Sequence, residues 1–568
     1  MVTEQRAKQF EPEPLREPSK LMQPERLGAL KQTRLSFARL LVDKMVREEW
    51  RIKIDRIDLD PQGVGRIVYR IETPSKRFSF GVFSRQSSEG ENTDRIIAEE
   101  WDMWAFLCEG EATPELMDAQ YEELPKVMEG RATPEILIWT RANRSSRFFD
   151  HIVESLAAGH QPDINYLSTG GYLMRSSGYY GNGLNGTKVF KAMDGDHPLK
   201  RPYMAQMLSA YMLRTVGYDL IERMATARNP DAPDLDRDIK RYLGTGNSSG
   251  VGIVMYVVNH PKQLHTWLRA REIALARAKA IEPTAADRER FKDILTDATR
   301  WFAEDESETN RFFASKDTIA RGLTRIDERL ADADGTFRWA DLCEWAEANL
   351  AMETQEVLHS LLIDTHPQVS EGLASSLTTS EKTDVVPEMP LSTLRSIIDS
   401  SYEWALDIDL YEDGARHHFW YRSIENEEPR LGISGESGYE DYALPVDVAL
   451  QVQQLEADLH RFAGTDTVAE FLFHNPEHRY IVERIQSVHG LSYAEIRANP
   501  LDVDFVPLHF ISCLKAIWGI QKAHPKSKGW VKGTFFQGAP LPTELEDGAD
   551  PDWLYPEKPD RADEWGEQ

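Results

Sequence analysis

Three alternating runs in succession constrain this chain more tightly than any other stretch. From Arg51, RIKIDRIDLD alternates apolar and polar residues, PQGVG supplies a turn, and RIVYRIETPSKRFSFGVFSR adds two more such runs divided by TPSK. Successive side chains on a strand point to opposite faces, so a period of two predicts a three-stranded antiparallel meander.

Helical patterns flank the meander. RLSFARLLVDKMVREEW carries Leu35, Phe37, Leu40, Leu41 and Met45 near helical spacing, and DRIIAEEWDMWAFLCEG reads as a helix from Asp94 to about Gly110, closed by its glycine. This order, with Gly63 and Gly65 between the first two strands, resembles the small lobe of kinase-like folds. A kinase needs a lysine on the third strand and HRD and DFG further on; the chain has none of these, and kinase activity is set aside.

PEILIWTRANRSSRFFDHIVESLAAG continues as strand, turn and helix. A long helix is expected from Val251 to Ala280, whole or broken at Pro261, and residues 284–365 carry one apolar stripe after another. The expectation is an α+β, predominantly α-helical fold. Its parts are a disordered arm (1–27), an N-terminal α+β region holding the meander (28–150), a central helical bundle with Gly-rich loops (151–365), a linker (366–393), a C-terminal α+β region with a hairpin plus helices (394–543) and a solvated acidic tail (544–568).

Charge narrows the partners. With 94 acidic against 66 basic residues the formal charge is −28, which opposes non-specific attraction to nucleic acid or to an anionic membrane. Cys108, Cys343 and Cys513 lie far apart in no metal or redox spacing, as suits a reducing cytoplasm. The first residues lack the apolar run of a signal peptide, and VGIVMYVVNHP from Val251 is far shorter than the ~20 residues of a membrane helix. A cytoplasmic protein is expected, with no nucleic-acid or membrane partner and with self-association left open.

Chemistry is suggested at several places. GYYGNGLNGTK, following Arg175, combines glycines that turn freely with donors at Tyr179, Tyr180, Asn182, Asn185 and Lys188, a composition suited to cradling an anion or to capping the bundle as a surface loop. LGTGNSSGVG places Thr245, Asn247, Ser248 and Ser249 ahead of the expected helix, where free N–H groups favour an anion or where small residues allow tight packing. It is neither a Walker nor a Rossmann fingerprint.

In YEWALDIDLYEDGARHHFWYRS, a turn at Asp413-Gly414 would set Asp409 opposite His418, with Arg422 further along the same face. A carboxylate beside an imidazole raises its basicity; the bland reading is an ordinary cross-strand pair. His417 and His418 with Glu425, Glu427 and Glu428 give no recognised metal spacing, so no metal is assigned. In TRANRSSRFFD, Arg141, Arg144 and Arg147 are expected to form one local positive spot, which either binds an anionic substrate or satisfies internal carboxylates.

These features suggest an enzyme of lyase or hydrolase type acting on a small anionic organic substrate. Arg175 and the two glycine-rich stretches would hold the anion, and His418, oriented by Asp409 with Arg422 nearby, would move the proton. No fingerprint names a cofactor. The alternative is a helical binding or scaffold protein without catalysis.

Overall fold

The computed structural model describes residues 14–86, 101–124, 136–180, 193–250, 260–304, 314–331, 338–378, 383–409, 445–496, 508–527, 530–546 and 553–559. The fold is α+β and predominantly helical, built on a nine-stranded mixed sheet of order β1-β2-β3-β4-β5-β6-β7-β9-β8. The strands are β1 (Arg51–Leu59), β2 (Gly65–Glu72), β3 (Arg77–Ser84), β4 (Met103–Glu109), β5 (Ile136–Arg144), β6 (Tyr172–Tyr180), β7 (Gly244–Gly250), β8 (Ile520–Ser527) and β9 (Trp530–Phe535). Among the described residues no helix is long and apolar enough to cross a membrane.

The meander forms where its alternation places it. Arg51 pairs with Glu72 and Leu59 with Gly65, and β3 then runs back along β2 from Arg77 to Ser84. Gly63 at φ +73° and Gly65 at φ +144° shape the first turn, in backbone conformations that side chains resist.

Antiparallel pairing continues through β4, β5 and β6. The helix expected over Asp94–Gly110 is corrected: its described part holds β4. Met103, Ala105 and Leu107 join the main core on one face, while Trp104, Phe106 and Cys108 join a smaller core on the other. A strand buried on both faces reads as a continuous apolar run, which periodicity cannot tell from a helix.

β6 and β7 form the parallel pair of the sheet. A parallel neighbour requires a crossover, and the chain makes it through the helices Met204–Arg228 and Arg237–Tyr242. The first of these, the central helix, is apolar nearly all round and lies buried in the main core. The long helix expected from Val251 appears as Pro261–Lys279, and 251–259 lie outside the described residues.

Several polar stretches are better packed than their composition suggests. Of the expected arm, residues 18–21 and 24–29 are helical, and Leu21 and Leu27 are fully buried. In the expected linker, Val369, Leu373 and Leu377 pack into the main core. In the expected tail, Leu545, Trp553 and Leu554 do the same, and Arg237 pairs with Glu544. In each case a few apolar side chains in a polar stretch are enough to dock the segment on a large existing core.

The hairpin expected around Asp413-Gly414 is replaced at its start by a short helix, Glu403–Leu406, and residues 410–444 lie outside the described residues. Helices Leu391–Ser401, Pro445–Leu459, Val468–His474 and Arg479–Val488 gather around a second apolar cluster of their own. The chain then returns to the main core, where β8 and β9 form the C-terminal hairpin that extends the sheet beyond β7.

Among the ionisable groups of the central helix, Asp219 meets the meander. Tyr69 on β2 donates a 2.6 Å hydrogen bond to Asp219, and burial pushes the Asp219 carboxyl up to about 6 against the pull of that bond. An acid with a raised folded pKa binds its proton more tightly when folded. Its favourable contribution is therefore full below the unfolded value of ~3.9 and is lost as pH rises through about 6. Asp219→Asn is expected to stabilise the protein by up to about 2–3 kcal/mol at pH 7 and by almost nothing at pH 3.5, read from urea melts at the two pH values. Equal effects at both would show that the carboxyl is not strained.

Candidate functional site

The stretches singled out separately in sequence, TRANR, MRSSGYY and GTGNSSG, become three consecutive strands. In β5–β6, Asn143 stands opposite Arg175 and Ala142 opposite Ser176, with a bulge that sets Arg141 opposite Gly178. In β6–β7, Arg175 stands beside Gly246 and Ser176 beside Asn247. Alternation then sorts the side chains: Arg141, Asn143 and Arg175 share the outer face, and Thr140, Ser176, Thr245 and Asn247 the face toward the central helix.

The outer face is cationic, polar and aromatic together. The Arg141 guanidinium lies 4.1 Å from the Trp101 ring centroid, and only 4% of the residue is exposed. Asn143 accepts a 2.8 Å hydrogen bond from the Asp102 N–H, and Asp102 accepts one of 2.9 Å from the Arg144 N–H, so the start of β4 fixes the end of β5. Arg175 is half-buried beside them. Trp104, Phe106 and Trp139 of the smaller core line the same face of the sheet.

The inner face is a packing surface. Thr140, Ser176 and Thr245 are fully buried, Thr140 Oγ1 is 3.4 Å from Ser176 Oγ, and Thr245 Oγ1 donates to the Ala210 carbonyl at 2.8 Å. Thr245 thus ties β7 to the central helix and presents no hydroxyl to a ligand. Gly244–Asn247 of β7 pair with β6 and Thr245–Gly250 pair with β9, so this backbone is drawn into sheet ladders and does not open a helix as the expected anion cradle would. Its glycines permit close approach: a Cβ at Gly246 would lie 2.7 Å from the Tyr172 ring, and one at Gly244 would lie 2.2 Å from the Phe535 carbonyl oxygen.

The arginine triplet is also corrected. Arg141 faces outward onto Trp101. Arg144 lies on the opposite face, with Ser84 Oγ at 2.9 Å and the Phe149 ring at 5.1 Å; burial pulls its guanidinium pKa down, against the nearby carboxylate of Asp102. Arg147 lies over Phe148 at 4.8 Å. On a strand, residues three apart point to opposite faces, so helical spacing was the wrong rule there.

Of the remaining expected site residues, Tyr179 and Tyr180 are strand positions opposite Thr140 and Trp139, and Ser248 and Ser249 oppose Lys532 and Val531. Asn182, Asn185, Lys188, His418 and Arg422 lie outside the described residues. Asp409 is exposed, just beyond the short helix of the second helical unit. The three cysteines are all buried, and burial pushes the Cys108 and Cys513 thiols up to about 12, which makes both poor nucleophiles.

Sequence inspection missed one buried charge network. Glu356 is fully buried, with Arg16 at 2.5 Å, Arg271 at 2.7 Å and Arg26 at 3.0 Å, while Arg16 also grips Glu272 at 2.6 Å. Its signal was present as charges inside apolar helices, at Arg271, Glu272 and Glu356, but their partners come from the N-terminal segment. Among the described residues, Asp458, Glu477 and His478 form a group with the composition of a metal site. Compared with protein families, curated proteins and solved structures, the chain finds no match, so its function has to be read from its own residues.

Proposed function

We propose that this protein binds a small organic anion on the outer face of β5 and β6, and that lyase- or hydrolase-type acid–base chemistry on that anion is the activity to assay. The observation that carries the reading is the register of β5 on β6, which sets Asn143 opposite Arg175 and puts Arg141 on the same face. In a chain of net charge −28, two guanidinium groups on one sheet face make a local positive potential, while the whole molecule repels polyanions. Arginine offers a planar fork that fits carboxylate or phosphate oxygens, and the stack on Trp101 holds Arg141 in a fixed orientation. Asn143 uses its oxygen on Asp102, so its bond to an anion would come through its NH₂. The acid–base part of the proposal rests on sequence alone, with His418 as the group expected to move the proton.

Thermal-shift measurement against small carboxylates and phosphates at millimolar concentration is expected to yield at least one anion that raises Tm. Arg175→Gln should weaken that anion about ten- to a hundred-fold, the usual ~1.5–3 kcal/mol of a charge-assisted hydrogen bond. If no anion shifts the wild type, or if the variant binds as well, the site is lost and the helical binding or scaffold reading takes its place.

A further inference from the structure

We propose that Asp458, Glu477 and His478 form a divalent-cation site in the second helical unit, suited to a first-row transition ion such as Zn²⁺ or Mn²⁺. One ligand atom from each residue lies within 4.8 Å of the others. His478 Nε2 and Asp458 Oδ2 are 2.9 Å apart, close to the ~3.0 Å edge between adjacent ligands held ~2.1 Å from an octahedral ion.

Two separate elements build the group. Asp458 is the penultimate residue of the helix Pro445–Leu459, and Glu477 and His478 end the turn Pro476–His478. His478 is almost buried and stacks on Phe471, with centroids 5.6 Å apart and an interplanar angle of 23°, which fixes the ring while its Nε2 faces Asp458. Arg461 lies 3.2 Å from Asp458 Oδ1, the other carboxylate oxygen, so Oδ2 remains the atom facing the imidazole. Glu477 is exposed and gives the ion its approach from solvent.

The donor set decides the ion. One neutral imidazole and two carboxylates bring a charge of −2 to a dication; the imidazole favours zinc over the hard, all-oxygen ions calcium and magnesium, and the two carboxylates also admit manganese. The spacing from 458 to 477–478 carries no local signature, so the sequence alone does not single the group out.

The test uses the full-length chain stripped of metal with a chelator. Calorimetric titration with ZnCl₂, MnCl₂ and MgCl₂ is expected to give saturable submillimolar binding of zinc or manganese and much weaker binding of magnesium. Glu477→Gln, at an exposed position that leaves folding intact, should weaken the transition ion at least tenfold, as should His478→Gln in protein whose circular dichroism matches wild type. Binding unchanged in Glu477→Gln would assign the ion to other surface histidines and overturn the proposal, as would an absence of saturable submillimolar binding to wild type.

Discussion

Replacing Arg214 with alanine is expected to destabilise the protein by about 3–5 kcal/mol, the range for breaking a buried, hydrogen-bonded charge. Arg214 sits in the central helix and is almost fully buried. Its described partners are the Tyr218 hydroxyl at 2.6 Å and the backbone carbonyls of Lys240, Arg241, Leu243, Ala539 and Pro540, between 2.8 and 3.2 Å away. One side chain thereby joins the crossover helix to the chain entering β7 and to the chain leaving β9. Truncation removes these bonds together: the Ala539 carbonyl loses its described donor, at ~1–3 kcal/mol for an unpaired group, while Lys240 and Leu243 fall back on one shared Tyr218 hydroxyl, Pro540 on the Tyr211 hydroxyl and Arg241 on the Gly538 N–H. Arg214→Lys should recover little, because a compact ammonium cannot span acceptors arranged around a planar fork. Urea melts with an unchanged m-value measure the loss, and faster amide exchange in β7 than elsewhere in the sheet locates it. A lysine variant as stable as wild type would show that only the charge matters.

The same strands mark where sequence was legible and where it was not. β1, β2 and β3 could be read because each alternates and each turn carries its own chemistry, down to Gly63 and Gly65. β4 could not, because burial on both faces removed its period. β7 is a strand because β6 and β9 pair with it from distant parts of the chain; its glycines fit under Tyr172 and against the Phe535 carbonyl, neither of which is near in sequence. Composition alone picked out Arg175 and GTGNSSG, and the arginines of TRANR by spacing, but their adjacency is a product of topology. Arg16 and Arg26 looked like charges of a solvated arm, since the carboxylates that bury them lie at Glu272 and Glu356.

That last network makes the second large prediction. Glu356→Ala is expected to destabilise the protein by about 3–5 kcal/mol, because Arg16, Arg26 and Arg271 would be left around a buried position without its charge. Burial alone would raise the Glu356 carboxyl, yet Arg16 and Arg271 override it and hold the group well below the usual carboxylate range. A depressed folded pKa gives stability that is complete above the unfolded value of ~4.3 and is lost as pH falls through the folded value. His359 works in the same direction: burial pushes its imidazole down to about 4, so stability also falls between the unfolded value of ~6.5 and that point. Between pH ~6.5 and about 4 the His359 loss is offset by the gain at Asp219, so wild type should weaken mainly below pH ~4, and Glu356→Ala should start less stable at pH 7 and lose less below that point, where its missing carboxylate no longer titrates. Because Arg16 and Arg26 anchor the segment that carries Leu21 and Leu27, the variant should also be cleaved within residues 14–30 by a protease that spares wild type. A loss under about 1 kcal/mol with unchanged protection of that segment would mean that apolar docking of Leu21 and Leu27, and not the ion network, holds the N-terminal segment in place.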